Sequence, residues 1–396
     1  MQKTLMILGA GKNEVPAIKK SREMGIKTVV CDMNKNAPGL KYGDNNIVAL
    51  TKNPEEYVKI AKKYRVDGVM TVSVESFVRT ISRIAREMDL PGISEEAAYL
   101  VTNKVAMKKK LKETGLPCGN FIWAKSTEEA LDKIESIRFP FVIKPADRAG
   151  SRGVLRLNDI KELKKYFNTA LSESRCGEVI IEEFLDGVES TVDSITYNGS
   201  TYVLGVSDKE KIQTPNIIAM DLTFPPSYPE TVQKKVQDLA KRALKALSVE
   251  FGPSHIEVIV KDGEPVVVEV AGRAGGGLIP SDVLPYLCGF DVLERFIRLS
   301  LGEDPGIPDY SLKNSVVLRF FKAPTGGILE KITGVYEVKN MKNVVKLGFI
   351  VKKGDLLRPL KEDNDRAGFV IVKGKDRHEA TELADRVEKT IKFNVK

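Results

Sequence analysis

The sequence predicts a mixed α/β and α+β chain of several domains, on three observations. Strand and helix patterns alternate through residues 1–95, a longer stretch carries paired apolar strands, and a Pro/Gly-rich break precedes a compact tail. With 396 residues the chain exceeds what one hydrophobic core serves, and its 42% hydrophobic content can fill more than one.

The alternation opens with a strand over Thr4–Leu8, a turn at Gly9-Ala10-Gly11, a helix over Val15–Met24 and a strand over Thr28–Cys31 that ends at Asp32. Pro16 suits the first turn of that helix, where a backbone N–H would find no partner anyway. Strand Ile47–Leu50, helix Glu55–Tyr64, strand Gly68–Val72 and helix Ser76–Met88 continue the pattern, which predicts a parallel sheet covered on both faces. Gly9-Ala10-Gly11 resembles the start of a dinucleotide fingerprint, and Asp32 stands where an acid would meet a ribose. Glu14 occupies the place of the third glycine, so the nicotinamide reading ranks behind a structural or substrate-binding role.

A helix is predicted over Glu95–Gly115, ended by Leu116-Pro117. An α+β unit follows, with strands Phe121–Ala124, Phe141–Lys144, Val154–Leu157 and Val179–Glu183 and helices Thr127–Ile137 and Ile160–Leu171. Strands near Ser190–Tyr197 and Thr201–Val206, helix Glu230–Leu247 and a hairpin around residue 262 make a larger mixed region. Asp304-Pro305-Gly306-Ile307-Pro308 reads as a linker. Beyond it come short strands, turns at Gly326-Gly327 and Arg366-Ala367-Gly368, and a final amphipathic helix from about His378 to Ile391.

The formal charge of +8 is spread along the chain and is not gathered in one arm, which argues for a small anionic substrate over nucleic acid. Lys108-Lys109-Lys110 reads as a solvated helix face. Cys31, Cys118, Cys176 and Cys288 form no Cys-x-x-Cys pair and the only histidines are His255 and His378, so zinc and thiol–histidine chemistry have little to work with. The opening apolar run is too short for a signal segment and no apolar stretch reaches 18 residues; the expectation is a reduced, soluble, cytoplasmic protein away from membranes.

Chemistry concentrates in four segments. Strands His255–Val260 and Val266–Val270 carry Glu257 and Glu269 on either side of a turn. Two bare carboxylates about 4 Å apart repel by roughly 4 kcal/mol at an effective dielectric near 20, so a facing pair calls for a cation or a shared proton, and magnesium is the expected answer. A two-residue Asp262-Gly263 turn would put the glutamates on opposite faces, whereas a three-residue loop over Asp262, Gly263 and Glu264 sets them opposite each other; the longer loop is predicted. A surface hairpin with two solvated glutamates is the plainer alternative.

Phe141–Lys144 passes into a loop with Gly150, Ser151 and Gly153, whose N–H groups, with Lys144, Arg148 and Arg152, suit phosphate. Taken alone it fits a mobile surface loop equally well. Glu178–Glu189 ends a strand and turns at Asp186-Gly187, exposing backbone groups suited to the polar edge of a purine. Arg273, followed by Gly275-Gly276-Gly277, could grip a carboxylate or a developing oxyanion, with the glycines allowing close approach to a ligand.

Taken in order, Asn103-Lys104-Val105-Ala106-Met107-Lys108, Lys144 with its glycine loop, Glu182-Glu183-Phe184-Leu185 with Glu189, Glu257, and Glu269-Val270-Ala271-Gly272-Arg273 resemble the ATP-grasp superfamily, and within it the carboxylate–amine ligases and their biotin-carboxylase-like relatives. The resemblance implies a Rossmann-like N-terminal domain (1–95), an ATP-grasp domain (96–305) with a mobile lid (about 118–185) and a mixed-sheet catalytic core (about 186–305), and a small α+β C-terminal domain (306–396). It implies ATP and Mg2+ or Mn2+ as cofactors. Lys104 and Lys144 would contact phosphates, with the loop of Gly150, Ser151, Arg152 and Gly153 closing over them. Glu182, with the backbone of Glu183 and Leu185 around Phe184, would read adenine, and Glu189 would meet the ribose. Glu257 and Glu269 would hold the metal, Arg273 would orient the carboxylate or acyl phosphate, and Lys209 would be a loop lysine near the γ-phosphate.

The implied activity is ADP-forming amide or peptide bond formation between small carboxylate and amine substrates, by way of an acyl phosphate. A carboxylase or carbamoyl-phosphate type of enzyme and a non-catalytic nucleotide-binding regulator are the alternatives, and a homodimer is the default assembly. Specificity is expected from the Glu75 loop, Met220–Ser227 and Gly275–Pro285. One departure stands out: Ala271 sits where the family has a metal-binding asparagine.

Overall fold

The computed structural model describes residues 2–51, 53–214, 216–276, 278–312 and 314–396. Strands β1 (Thr4–Leu8), β2 (Lys27–Asp32), β3 (Asn45–Val48) and β4 (Gly68–Met70) form a parallel sheet in the order β3-β2-β1-β4, with helices α1 (Val15–Glu23) and α2 (Pro54–Tyr64) between strands and α3 (Val78–Met88) after β4. Met6, Leu8, Val29 and Cys31 pack on α2 and α3, while Leu5, Ile7 and Val30 face a second core on the α1 side, so these strands are buried on both faces as a parallel sheet requires. Asp32 accepts N–H groups from Ala10 and Asn34, one on each carboxylate oxygen, and is thereby occupied by backbone where a ribose-binding acid would need a free edge.

The predicted helix over Glu95–Gly115 is two helices, α4 (Glu95–Leu100) and α5 (Lys104–Glu113). Asn103 divides them: its side chain caps α5 by accepting from the Ala106 N–H, which competes with helix continuation and fixes Lys104 as the first helical residue.

The remaining elements are β5 (Phe121–Ala124), α6 (Thr127–Lys133), β6 (Phe141–Pro145), β7 (Leu155–Leu157), α7 (Ile160–Glu173), β8 (Val179–Glu183), β9 (Val188–Tyr197), β10 (Ser200–Thr214), β11 (Asn216–Phe224), α8 (Glu230–Ala246), β12 (Gly252–Lys261), β13 (Glu264–Ala271), α9 (Leu284–Cys288), α10 (Val292–Ser300), β14 (Ser315–Phe321), β15 (Leu329–Thr333), α11 (Val335–Lys339), β16 (Val344–Phe349), β17 (Gly368–Gly374), α12 (Arg377–Thr390) and β18 (Lys392–Val395). One sheet runs β13-β12-β9-β10-β11-β7-β6-β8-β5, and β14, β17 and β16 join it through β11; every pairing in it among the described residues is antiparallel, which corrects the mixed sheet expected for the catalytic core. The tail beyond the linker is thus hydrogen-bonded into the large sheet. Arg319 on β14 strengthens the join, bonding Asp221 on β11 and Asp385 and Glu388 on α12.

The hairpin β12–β13 corrects the predicted loop. Lys261 pairs with Glu264, so the loop has two residues, Asp262 (φ 51°) and Gly263 (φ 78°), both left-handed as a tight hairpin of this length requires. The glutamates meet all the same, because the register shifts between Glu257 and Val258 and leaves Val268 as an unmatched extra residue. Below the bulge Val267 faces the core shared with α8, and above it Val270 does, which pure alternation forbids for residues three apart. A methyl group on Gly263 would meet only Val232 at an ordinary 3.7 Å, so Gly263→Ala is penalised through its φ alone. The expected loss is about 1 kcal/mol, read from the midpoint of urea unfolding.

Candidate active site

One face of the large sheet carries a strip of alternating charge. Glu189, Thr191 and Asp193 on β9, Lys209 and Lys211 on β10, His255 and Glu257 on β12 and Glu269 on β13 share that face by strand alternation and ladder register, with Glu257 opposite both Thr191 and Glu269. The other face, through Val192, Val206, Ile256 and Val258, seals against α8. Local strand geometry therefore turns the polar residues one way and the valines and isoleucines the other.

Lysines neutralise these carboxylates. Lys209 bridges Glu257 (2.5 Å) and Glu189 (3.1 Å), and Lys211 also pairs with Glu189. Lys104, at the start of α5, reaches Glu269 at 3.1 Å and the Arg148 carbonyl at 2.8 Å. Burial alone would raise the Glu257 carboxyl, but Lys209, Lys211 and His255 hold it well below the carboxylate range. Burial would likewise lower the Lys209 and Lys104 ammonium groups, and their acidic partners instead push both upward. Lys209 sits within a strand and is not the loop lysine expected, so its position is set by the β10 ladder.

A second cluster lies between α5 and the strands β6 and β8. Glu182 pairs with Lys144 on β6 and, at 2.8 Å, with Lys108 on α5; against its burial these two charges bring its carboxyl down to about 2. Lys108 overturns the reading of a solvated lysine run: it is 2% exposed, while only its neighbours Lys109 and Lys110 lie towards solvent. Its signal was present as the four-residue step from Lys104, which places both lysines on one helix face.

The loop of Gly150, Ser151, Arg152 and Gly153 follows β6, with left-handed backbone at 150, 151 and 153, and Arg152 reaches Glu362 at 3.3 Å. Glu183 accepts from Asn120, and the Phe184 ring lies under the Arg156 guanidinium at 4.1 Å. Leu185 follows directly after Phe184, at the end of β8.

Arg273 donates to the Ala274 carbonyl and pairs with Glu75, while its buried Nε has no hydrogen-bond partner and remains a donor for an anion. The glycines after it serve partly another purpose than ligand approach. A Cβ on Gly275 would stand 2.7 Å from Asp193 Oδ1 and 3.0 Å from His255 Nδ1, so the bare backbone makes room for the 2.8 Å His255–Asp193 contact. Gly277 lies outside the described residues. Ala271 is buried and pairs across the ladder with His255.

The donor set suits magnesium, a hard cation commonly held by one or two carboxylates with substrate phosphates completing its shell. Glu257 and Glu269 are ladder partners on adjacent strands, whose β-carbons are typically about 5 Å apart. Among the described residues there is no cluster of three or more His, Cys, Asp or Glu that could hold a metal ion.

A family model for the ATP-grasp domain matches residues 137–282, and one for the L-amino acid ligase C-terminal domain 2 matches residues 319–396. Residues 137–282 thus form an ATP-grasp domain. Similar to this ATP-grasp chain is the L-arginine-specific L-amino acid ligase of Bacillus subtilis, 22% identical over 319 residues that span 79% of this chain and 76% of the relative. The crystal structure of an L-amino acid ligase from Bacillus licheniformis shares the fold at a TM-score of 0.85 and 21% identity, covering 100% of this chain and 99% of that one. The biotin carboxylase domain dimer of the Hydrogenobacter thermophilus 2-oxoglutarate carboxylase, solved with MgADP, ADP and bicarbonate, does so at 0.77 and 17%, covering 100% and 92%. Against the carbamoyl phosphate synthase large chain of Pseudothermotoga lettingae, 28% identical, the match spans 69% of this chain but only 26% of the relative. Among the described residues no helix is long and apolar enough to cross a membrane.

Proposed function

We propose that this ATP-grasp ligase joins a small carboxylic acid or amino acid to an amine, forming ADP and phosphate. The reading rests on one observation above all: Glu257 faces Glu269 on a strip whose neighbouring groups are lysines. Phosphoryl transfer asks for positioning and charge neutralisation and needs no protein nucleophile, which matches a site built of lysines, carboxylates and one arginine.

A carboxylate oxygen of the substrate would attack the γ-phosphorus, breaking the bond to the bridging oxygen and releasing ADP. The amine would then attack the acyl carbon of the acyl phosphate, phosphate would leave with the C–O bonding pair, and the amine would give up a proton. Lys104, Lys144 and Lys209 would hold phosphate oxygens, and the loop of Gly150, Ser151, Arg152 and Gly153 would exclude the water that would hydrolyse the acyl phosphate. Glu257 and Glu269 would hold magnesium, which supplies charge neutralisation at the β- and γ-phosphates. Arg273 with Glu75 offers one cation and one anion side by side, a match for the carboxylate and ammonium ends of an amino acid.

ADP release measured against a panel of paired amino acids is the test. Release that depends on a particular amino acid, or pair of them, is the expected result, and release that depends on bicarbonate instead would move the chain to carboxylation chemistry. No ADP with any pair or with bicarbonate would sink the proposal.

A further inference from the structure

We infer that Lys108 is a positioning residue that fixes the nucleotide side and the metal side of the site with one buried ammonium group. The inference rests on the proposed Mg-ATP site and adds a residue to it. Lys108 Nζ contacts three elements: Glu182 of β8 at 2.8 Å, the Val267 carbonyl of β13 at 2.9 Å and the Cys118 carbonyl at 2.5 Å. Cys118 lies in the segment leading from α5 into β5, and the Pro117 carbonyl of that segment accepts from the Val267 N–H.

Two of these contacts bear on the site. Val267 directly precedes Val268, the extra residue of the bulge, and that bulge is what brings Glu269 opposite Glu257 on a two-residue turn. With its N–H held by Pro117 and its C=O by Lys108, Val267 is pinned on both sides at the point where the register changes. At its other contact the same ammonium group meets Glu182, whose second oxygen holds Lys144. A displacement of Lys108 therefore disturbs the phosphate lysine and the metal carboxylates together.

Burying an ammonium group costs several kcal/mol unless it is paired and hydrogen-bonded, and Lys108 satisfies that condition with one carboxylate and two carbonyls. A role in packing alone would be met by a methionine in the same place. Residues that orient ligating groups typically change metal affinity about 10- to 100-fold when removed.

The test is calorimetric binding of ADP to the full chain across a magnesium titration, without turnover. Lys108→Met should weaken Mg-ADP binding about tenfold or more and shift the magnesium half-saturation upward by at least about threefold, with the far-UV circular dichroism of the parent. Lower thermal stability with both constants within about twofold of the parent would reduce Lys108 to a packing residue and overturn the inference. Should Lys108→Met fail to accumulate as folded protein, Lys108→Gln is read by the same two constants, since it keeps a donor while dropping the charge. A parent chain that binds no Mg-ADP would remove the proposed nucleotide site itself, and this inference with it; parental binding matched by the variants would remove the inference alone.

Discussion

Glu269→Gln should give a folded chain that releases ADP about 100-fold more slowly or worse at saturating magnesium, the scale typical for removing one aimed electrostatic contact from a transition state. The amide keeps the size of the side chain and the ladder register with Glu257, so the fold has no reason to change. What changes is charge: one of two facing carboxylates becomes neutral, and Lys104 loses its 3.1 Å partner. A coupled ADP assay with circular dichroism on the same sample checks both parts. Parental turnover in a folded variant would remove Glu269 from the metal assignment.

Lys209→Met should lower stability in addition to removing a proposed phosphate contact. Lys209 is the shared cation of Glu257 and Glu189, and its removal leaves two largely buried carboxylates, of which only Glu189 keeps a lysine ion pair, to Lys211. Breaking a buried ion pair from one side typically costs about 3–5 kcal/mol, which chemical denaturation of the ligand-free chain would show. The pH dependence should also change sign. In the parent, Glu257 is held below its ordinary 4.5, so its contribution is present above that pH and fades as pH falls. In the variant the stripped Glu257 carboxylate gains from taking up a proton, so stability should rise as pH falls toward 5. A variant as stable as the parent at every pH would show that Lys209 carries no such load.

The sequence made the strand–helix alternation and the order of the site segments legible, because periodicity and motif spacing are local properties. Glu257 facing Glu269 was reached by an incorrect route: the predicted three-residue loop is a two-residue turn, and a bulge at Val268 restores the pairing. A bulge is decided by packing, here by Val267 and Val270 both reaching the α8 core, and no local pattern announces it. Lys108 was misread for a related reason. Three consecutive lysines look alike in one dimension; the four-residue step from Lys104 puts Lys108 on the same helix face, and the placement of β8 and β13 above that face makes it interior. The Asn103 cap could have been read, since asparagine before a helical run is a start signal, and the β-branched Val101 and Thr102 before it also disfavour one continuous helix.

The self-neutralised state of the strip bears on how its guests arrive. A triphosphate coming alone would draw the lysines away and strand Glu257 and Glu269 without countercharge, while a cation coming alone would free Lys104 and Lys209 with nothing to hold. Each visitor mends the electrical debt the other creates, so the two should be mutually reinforcing, and by thermodynamic reciprocity the gain must be the same in either order.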